Sequence, residues 1–325
     1  MRFEKYFKRI HKKDHMIEYP KFKVCVKCFT YNHSGYIEAA MNGFIMQQTD
    51  FPFVCCIVDD ASTDGEQQII KGYLKDNFNV SDTIVAYEKE TDYAYIFYAQ
   101  HKKNKHCYFA VLLLKENHYS RARTKSEYLR EWSDNVPYIA FCEGDDYWVS
   151  PEKLQMQVDF LDRNLDYGLT YTQACVCNQY NEIDNSQVKG TAGCNTFDEI
   201  IERNPIPTLT TVFRNSLYVK YLNNINLNPK WKMGDYPMWL FFSLNSKIYF
   251  FEKVTSSYRV LPESASHSRN LRKRLQFIKG LYLVRRDLVK YANRKDLLKK
   301  CRRDYLYEVI FVCAYQIAVF FKLKS

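Results

Sequence analysis

Hydrophobic and polar positions alternate along the first third of the chain in blocks that predict strands and helices in turn. Residues 23–29 and 53–58 are largely apolar runs, typical of strands buried on both faces of a sheet. Residues 36–48 and 66–74 carry apolar side chains at helical spacing. Because the predicted strands and helices alternate, the order predicts a parallel sheet of right-handed βαβ units.

The middle of the chain continues this pattern less regularly. Residues 108–114 predict another buried strand, residues 83–87 and 93–98 predict two weaker ones, and residues 121–132 predict a helix. A further strand-like run begins at residue 138 and ends abruptly in three acids around one glycine.

Those acids are Glu143, Asp145 and Asp146. Ligands of open α/β sheets bind at the carboxyl ends of strands, so acids placed there have two plausible functions. They hold a divalent cation through hard oxygen ligands, or they hold a sugar hydroxyl. A polar turn whose charges are simply solvated is the alternative that this motif alone leaves open.

The second half predicts a mixture of strands, loops and helices. Ser150 is the expected N-cap and Pro151 the first residue of the next helix. Thr196 and Glu199 have the spacing of a capping box. Strands are predicted at 168–177, 209–213, 248–251 and 257–260, a loop or hairpin at 178–195, and helices at 151–161, 196–203 and 238–243.

The pattern from residue 269 onward is helical and basic, and it ends in a nearly apolar run at 305–321 that is interrupted by Glu308 and Gln316. A membrane-spanning helix needs roughly 17 to 25 apolar residues, so this run lies at the lower limit. The basic residues that precede this run favour docking on an anionic membrane surface, and a buried or dimer-forming helix is the main alternative.

Charge and cysteine content add two points. The net charge of +10 is concentrated near both ends of the 325-residue chain and not along an aromatic groove, which argues against a nucleic-acid partner. Several of the eleven cysteines lie inside apolar runs, as expected for reduced thiols in a cytoplasmic protein. The N-terminus lacks the apolar segment of a secretory signal.

Two other loops are expected at the edge of the sheet where the three acids lie. Asp59 and Asp60 end the second strand, and Tyr31 follows the first. A tyrosine ring offers a stacking face for a base, and carboxylates can accept from a base N–H, hold ribose hydroxyls or bind a cation. The chain has no G-x-G-x-x-G and no G-x-x-x-x-G-K-[ST] motif, so a metal would have to neutralise a diphosphate.

These residues carry a family resemblance. The segments Thr30-Tyr31-Asn32 and Val58-Asp59-Asp60-Ala61-Ser62-Thr63-Asp64 resemble the nucleotide-binding half of family 2 glycosyltransferases of the GT-A fold. The segment from Glu143 to Trp148 resembles the D-x-D-D motif of that family. Together with the 117–120 loop, it is similar to the bacterial polysaccharide-biosynthesis type.

The resemblance implies a GT-A type α/β fold, with a mostly parallel Rossmann-like sheet flanked by helices. It predicts a basic segment at 1–21, a glycosyltransferase domain at 22–265 and a basic helical extension at 266–325. Within the domain, the nucleotide-binding half is 22–146 and the acceptor half is 147–265.

The resemblance also implies a role for each motif residue. Tyr31 would lie against the base, with Asp60 pairing with its N–H and Asp59 beside it. Asp145 would hold the ribose or a metal, and Asp146 would be the ligand of Mn²⁺ or Mg²⁺ closest to the diphosphate.

Other positions are less directly implied. Asp235 matches the later acid that serves as general base in inverting members, although it also suits a helix N-cap. His267 is a candidate contact to the diphosphate or metal, with an ordinary loop histidine as the alternative. Glu143 stands where the family motif has its first aspartate, so its role stays open together with those of Asn117 and Arg123.

The sequence therefore predicts an inverting, metal-dependent glycosyltransferase. Its expected donor is a nucleotide-diphosphate sugar, with a UDP-sugar as the first candidate, and its acceptor would be a glycan or lipid-linked molecule of surface polysaccharide synthesis. A cytoplasmic protein, peripheral on the inner face of the cell membrane, would fit this activity. A sugar nucleotidyltransferase and a non-catalytic membrane-associated scaffold are the alternatives.

Overall fold

A computed structural model describes residues 17–193, 195–261 and 270–322. The strands lie at Val24–Thr30 (β1), Phe53–Asp59 (β2), Ala86–Glu90 (β3), Ala94–Gln100 (β4), Cys107–Leu114 (β5), Tyr138–Phe141 (β6), Tyr147–Trp148 (β7), Tyr167–Cys177 (β8), Ile183–Lys189 (β9), Val212–Arg214 (β10) and Lys247–Arg259 (β11). The helices lie at Ile37–Ile45 (α1), Glu66–Asn77 (α2), Arg130–Ser133 (α3), Lys153–Arg163 (α4), Phe197–Glu202 (α5), Asn215–Asn224 (α6), Tyr236–Asn245 (α7), Leu271–Tyr291 (α8) and Lys295–Lys322 (α9). Short 3₁₀ turns lie at Ser126–Leu129 and Thr208–Thr210.

One mixed sheet runs through the molecule in the order β3-β4-β5-β2-β1-β6-β10-β8-β11-β7, with β9 paired to β8. Its centre, β5-β2-β1-β6, is parallel throughout, and antiparallel pairs flank it on both sides. The predicted α/β class, with a parallel central sheet and flanking helices, is confirmed.

The central strands are buried on both faces, as their apolar runs predict. Alternate side chains point to opposite faces of a strand, so each strand contributes to two hydrophobic clusters. Cys25 and Val54 belong to one cluster, and Val24 and Phe53 belong to the other. This double burial holds the carboxyl ends of the parallel strands in register.

One predicted helix start is wrong. The helix α4 begins at Lys153 with Glu152 as its N-cap, because the Ser150 amide donates to the Thr255 carbonyl and so continues the strand pairing. The helix α2 begins at Glu66 as predicted, and Gly65, in the left-handed conformation, is its N-cap. The capping box of Thr196 and Glu199 at α5 is confirmed.

The prediction of a continuous helix over 121–132 is also wrong. Only the 126–129 turn and the single turn of α3 form there. The preceding residues instead bend around a buried carboxylate of the neighbouring strand, as described below. The two late strands are one long strand, β11, with register shifts along β8.

The C-terminal helices pack against the rest of the chain. Arg285 of α8 is buried, donates to the Tyr236 hydroxyl at 3.3 Å and to the Glu202 carbonyl at 3.0 Å, and pairs with Glu308 of α9. In the described part of the chain, no helix is long and apolar enough to cross a membrane.

Gly43 marks the tightest contact between α1 and the strand that follows the acids. A Cβ at this position would lie 2.7 Å from the Trp148 amide nitrogen and 2.9 Å from its carbonyl oxygen, which are both backbone atoms. We therefore expect Gly43→Ala to lower the free energy of unfolding by about 1–3 kcal/mol, measured by urea denaturation.

Gly72 is the matched control, because it also lies within a helix but a Cβ there has no atom within 4 Å. Gly72→Ala is expected to raise the free energy of unfolding by about 0.5–1 kcal/mol. Equal stability of the two alanine variants would contradict the close contact at Gly43.

Candidate active site at the carboxyl edge of the sheet

The loops that follow the parallel strands gather at one edge of the sheet, as their topology requires. The Asp60 amide donates to the Thr30 carbonyl at 3.0 Å, and the Gly144 amide donates to the Phe29 carbonyl at 3.2 Å. The Asn117 side-chain amide donates to the Asp60 carbonyl at 3.0 Å. The predicted convergence of the loops after β1, β2 and β6 is therefore present, and the loop after β5 joins them.

Gly144 allows the acidic loop to approach the loop after β1. A Cβ at this position would lie 2.1 Å from the Thr30 hydroxyl oxygen, so no larger residue fits without displacing that side chain. The glycine between Glu143 and Asp145 is thus a packing requirement of the site.

Asp60 is buried, and both of its carboxylate oxygens accept hydrogen bonds. Its Oδ1 accepts from the His118 amide at 2.7 Å, and its Oδ2 accepts from the Tyr119 amide at 3.0 Å and from Lys125 Nζ at 2.7 Å. Burial raises the pKa of Asp60, but these three hydrogen bonds outweigh it and hold the pKa below its usual value. The loop after β5 is consequently wrapped around this carboxylate, which explains the missing helix.

Asp59 is also buried, with its Oδ1 accepting from the Ser62 amide at 3.0 Å and from Gln67 Nε2 at 2.5 Å. Its Oδ2 has no hydrogen-bond partner among the described residues. Asp59 therefore shapes the turn between β2 and α2 and leaves one carboxylate oxygen unsatisfied.

Tyr31 lies at the mouth of the site, with 43% of its surface exposed. The adjacent Asn32, which has a φ of 55°, holds this loop against the next one by accepting from the Thr63 amide at 2.8 Å. Glu66, which sequence reasoning missed, accepts from the His33 amide at 2.9 Å and from the Thr30 hydroxyl. Its only sequence signal is an acid at the first position of α2.

Asp145 and Asp146 are held by Arg259, another residue that sequence reasoning missed. The Arg259 amide donates to Asp146 Oδ1 at 2.8 Å, and its Nε donates to the Asp145 carbonyl at 2.7 Å. Asp146 is 6% exposed, and burial together with the charges of Asp145 and Glu143 raises its pKa. Asp145 is half-buried and faces the cleft more openly.

Glu143 and Asp235 lie close enough for their charges to interact. Glu143 is exposed, and desolvation together with the charges of Asp145 and Asp235 raises its pKa to about 7. Lys125 opposes that shift. The topology thus brings together acids that are far apart in the sequence.

Asp235 is the N-cap of α7, with Oδ1 accepting from the Tyr236 amide at 2.8 Å. Its Oδ2 accepts from the Thr208 hydroxyl at 2.6 Å. The next residue, Leu209, accepts from Trp148 Nε1 at 2.8 Å, so one turn links Asp235 to the strand behind the acidic loop. Asp235 therefore caps a helix and still lies near enough to act on the charge of Glu143.

The remaining candidates lie around the site. Asn117 stabilises the loop after β5, since its Oδ1 accepts from the Ser120 amide at 2.7 Å. The side chain of Arg123 is 56% exposed and lies 3.6 Å from Glu116. His267 lies outside the described residues.

The donor set suits a hard divalent cation only in part. Among the described residues, no group of three His, Cys, Asp or Glu side chains is placed to hold a metal ion. Asp145 and Asp146 nevertheless supply adjacent carboxylates, and Mg²⁺-type sites often use one or two carboxylates together with substrate phosphates. The two residues fit a cation that is bound jointly with a diphosphate.

The hydrogen bonds of Asp60 predict that its charge stabilises the folded protein. Asp60→Asn keeps the shape but loses the charge that pairs with Lys125, so the variant should be less stable than the wild type at pH 7. Folding lowers the pKa of Asp60, so its ionised carboxylate stabilises the folded protein. This stabilisation is present when the pH is above the unfolded-state pKa of about 3.9, and it is lost as the pH falls below that pKa.

Urea unfolding of both proteins between pH 3 and pH 7 measures this effect. The difference in unfolding free energy should be largest near neutral pH and should shrink below pH ~4. A difference that grows on acidification would contradict the ion pair.

The sequence of this chain is similar to those of known proteins over the part that contains the loops after β1 and β2. Residues 25–89 match the family described as glycosyl transferase family 2. Uncharacterized proteins of Mycobacterium tuberculosis and Mycobacterium bovis are 34% identical over 135 residues, which is 42% of this chain. The matched stretch spans 30% of the length of these curated relatives.

Solved structures share the fold over a larger part of the chain. The mannosyltransferase PcManGT of Pyrobaculum calidifontis, solved with GDP-Man and Mn²⁺, is 14% identical, with a TM-score of 0.52 over 97% of this chain and 81% of its own. The S. aureus protein TarS is 20% identical, with a TM-score of 0.50 over 81% of this chain and 39% of its own. The resemblance to family 2 glycosyltransferases is thus confirmed, in sequence over residues 25–89 and in the GT-A fold over most of the chain.

Proposed function

We propose that this protein is an inverting glycosyltransferase that moves a sugar from a nucleotide-diphosphate donor to a hydroxyl of a glycan or lipid-linked acceptor. The observation that carries the proposal is that Glu143, Asp145 and Asp146 come within electrostatic range of one another at the carboxyl edge of the sheet, and that Asp235 is tied to the strand behind them through the turn that contains Thr208 and Leu209. The family match supports it, because residues 25–89 include the loops of Tyr31 and Asp60.

In this proposal, the base of the donor lies against the exposed ring of Tyr31. Lys125 occupies the Asp60 oxygen that would accept from a base N–H, so donor binding would exchange Lys125 for the base. Asp59 supports the turn beside it. A UDP-sugar remains the expected donor, and a GDP-sugar is a second probe because the mannosyltransferase of similar fold was solved with GDP-Man.

Asp145 and Asp146 would hold Mn²⁺ or Mg²⁺ at the donor diphosphate. When bound, such an ion supplies Lewis-acid stabilisation of the negative charge on the leaving group. Asp145 is the more open of the two residues, and in this proposal it would also meet a ribose hydroxyl.

Asp235 would act as general base. Its carboxylate takes the proton of the acceptor hydroxyl while that oxygen attacks the anomeric carbon in line. The bond between the anomeric carbon and the diphosphate oxygen breaks, and the electron pair leaves with the nucleoside diphosphate. The hydrogen bonds from Tyr236 and Thr208 fix the orientation of this carboxylate without blocking all of its lone pairs.

We also propose that the exposed face of α9 docks on an anionic membrane surface, which would bring the site to a lipid-linked acceptor of polysaccharide synthesis. Tyr307, Ile310 and Phe311 are 64%, 63% and 67% exposed, and they lie on adjacent turns. Exposed Lys299 and Arg302 precede them on the same helix. Basic residues beside an exposed apolar stripe suit such a surface.

Two carboxylate substitutions test the transferase. With UDP- and GDP-sugars and Mn²⁺, Asp146→Ala is expected to lose metal-dependent donor binding in calorimetry. Asp235→Asn is expected to keep donor affinity and lose about 10²- to 10⁴-fold in kcat, since it removes only proton transfer.

Asp134→Asn is the matched control, because Asp134 is exposed, lies outside the cleft and pairs with Arg130. Full transfer activity in Asp146→Ala would refute the metal assignment. Release of pyrophosphate from a nucleoside triphosphate and a sugar phosphate would identify a nucleotidyltransferase. Wild-type protein that binds no nucleotide sugar with Mn²⁺ would favour a non-catalytic scaffold.

Membrane docking is tested by co-sedimentation with vesicles that contain phosphatidylglycerol. The double variant Ile310→Glu, Phe311→Glu should bind much less than the wild type, because it places charges on the apolar stripe. Leu165→Glu is the control, since Leu165 is 80% exposed but lies after α4. Unchanged vesicle binding in the double variant, or a dimer that this variant dissociates, would contradict docking through this face.

A further inference from the structure

Arg259, the last residue of β11, is buried, with 2% of its surface exposed. Its guanidinium group donates hydrogen bonds to two separate loops. Its Nε donates to the Asp145 carbonyl at 2.7 Å, its NH1 group to the Asn178 carbonyl at 3.0 Å, and its NH2 group to Asn181 Oδ1 at 2.7 Å.

Two aromatic rings complete the surroundings of this side chain. The guanidinium carbon lies 4.5 Å from the centroid of Tyr36 and 5.5 Å from that of Tyr147. A planar guanidinium can stack on such rings while it donates in several fixed directions, and a lysine ammonium cannot reproduce that geometry. These contacts therefore require an arginine at this position, and a lysine with the same charge would not make all of them.

The contacts of Arg259 join the acidic loop to a hairpin. Asn178 and Asn181 form the turn between β8 and β9, in which Asn178 Oδ1 accepts from the amides of Tyr180 and Glu182 at 2.9 and 3.1 Å. At the other end, the Arg259 amide holds one oxygen of Asp146. One residue thus joins the Asp145 backbone and the Asp146 carboxylate to the hairpin beyond them.

We propose that Arg259 is a positioning residue that presents Asp145 and Asp146 to the cation and diphosphate of the donor, and that the hairpin turn holds Arg259 in place. The identity of that ligand rests on the proposed function. Groups that orient metal ligands without touching the metal typically change its affinity by about 10- to 100-fold when they are replaced.

Arg214 provides a matched control within the chain. It also donates to backbone carbonyls, those of Tyr167 at 2.8 Å and Asn164 at 3.2 Å. It lies beside Tyr138, at the start of β6, and therefore at the opposite edge of the sheet from the acids. Replacing Arg214 should affect stability alone.

The test measures joint binding of Mn²⁺ with UDP or GDP by electron paramagnetic resonance of free Mn²⁺, with thermal unfolding recorded in parallel. Arg259→Lys is expected to weaken Mn²⁺ binding in the presence of the nucleotide by about 10- to 100-fold. Asn181→Ala, which keeps the guanidinium group but removes one of its partners, should weaken it less and in the same direction. Arg214→Lys should lower the melting temperature and leave Mn²⁺ affinity unchanged.

The outcomes separate this inference from the function on which it rests. If the wild type binds Mn²⁺ with UDP or GDP and both Arg259→Lys and Asn181→Ala bind it equally well, Arg259 is only structural. If Arg259→Lys does not fold, Asn181→Ala decides by itself. If the wild type binds neither nucleotide with Mn²⁺, both the proposed function and the proposed role of Arg259 are refuted.

Discussion

The burial of several like charges at one edge of the sheet is the constraint on which the rest of this structure depends. Desolvation raises the pKa of both Glu143 and Asp146, and neighbouring charges add to it: those of Asp145 and Asp235 at Glu143, and those of Asp145 and Glu143 at Asp146. Such a group of acids destabilises the folded protein unless hydrogen bonds and cations hold it. The surrounding loops supply these partners, and a bound cation and donor would complete them.

The individual acids differ in how much of their bonding capacity is already used. Asp60 accepts three hydrogen bonds, from two amides and Lys125, and so orders the loop after β5. Asp235 uses both oxygens but accepts only one hydrogen bond at each in the described structure. Asp145 accepts at its backbone and keeps its carboxylate half-exposed. Hydrogen bonding thus distinguishes Asp60, which organises a loop, from Asp145 and Asp235, which keep acceptor capacity for a ligand.

Local sequence pattern was a good guide wherever one interaction dominates. The buried runs of β1, β2 and β5 predict strands because double burial needs continuous apolar side chains. The predicted helix over 121–132 is wrong, because Asp60, about sixty positions earlier, accepts hydrogen bonds from Lys125 of that segment and from the His118 and Tyr119 amides just before it. Ser150 was predicted as a cap, but its amide pairs with Thr255 of a distant strand. Each error arose where a long-range partner outweighed local preference.

The sequence by itself determined the alternation of strands and helices, and hence the edge at which Tyr31, Asp60, Asp145 and Asp146 meet, because parallel strands place their carboxyl ends together. It also contained the motif signals of the family. Only the tertiary structure decided which partner each acid has: Lys125 for Asp60, Arg259 for Asp146 and Thr208 for Asp235. These pairs join residues 27 to 113 positions apart, and hydrogen bonds at such separations depend on packing geometry, which no local pattern encodes.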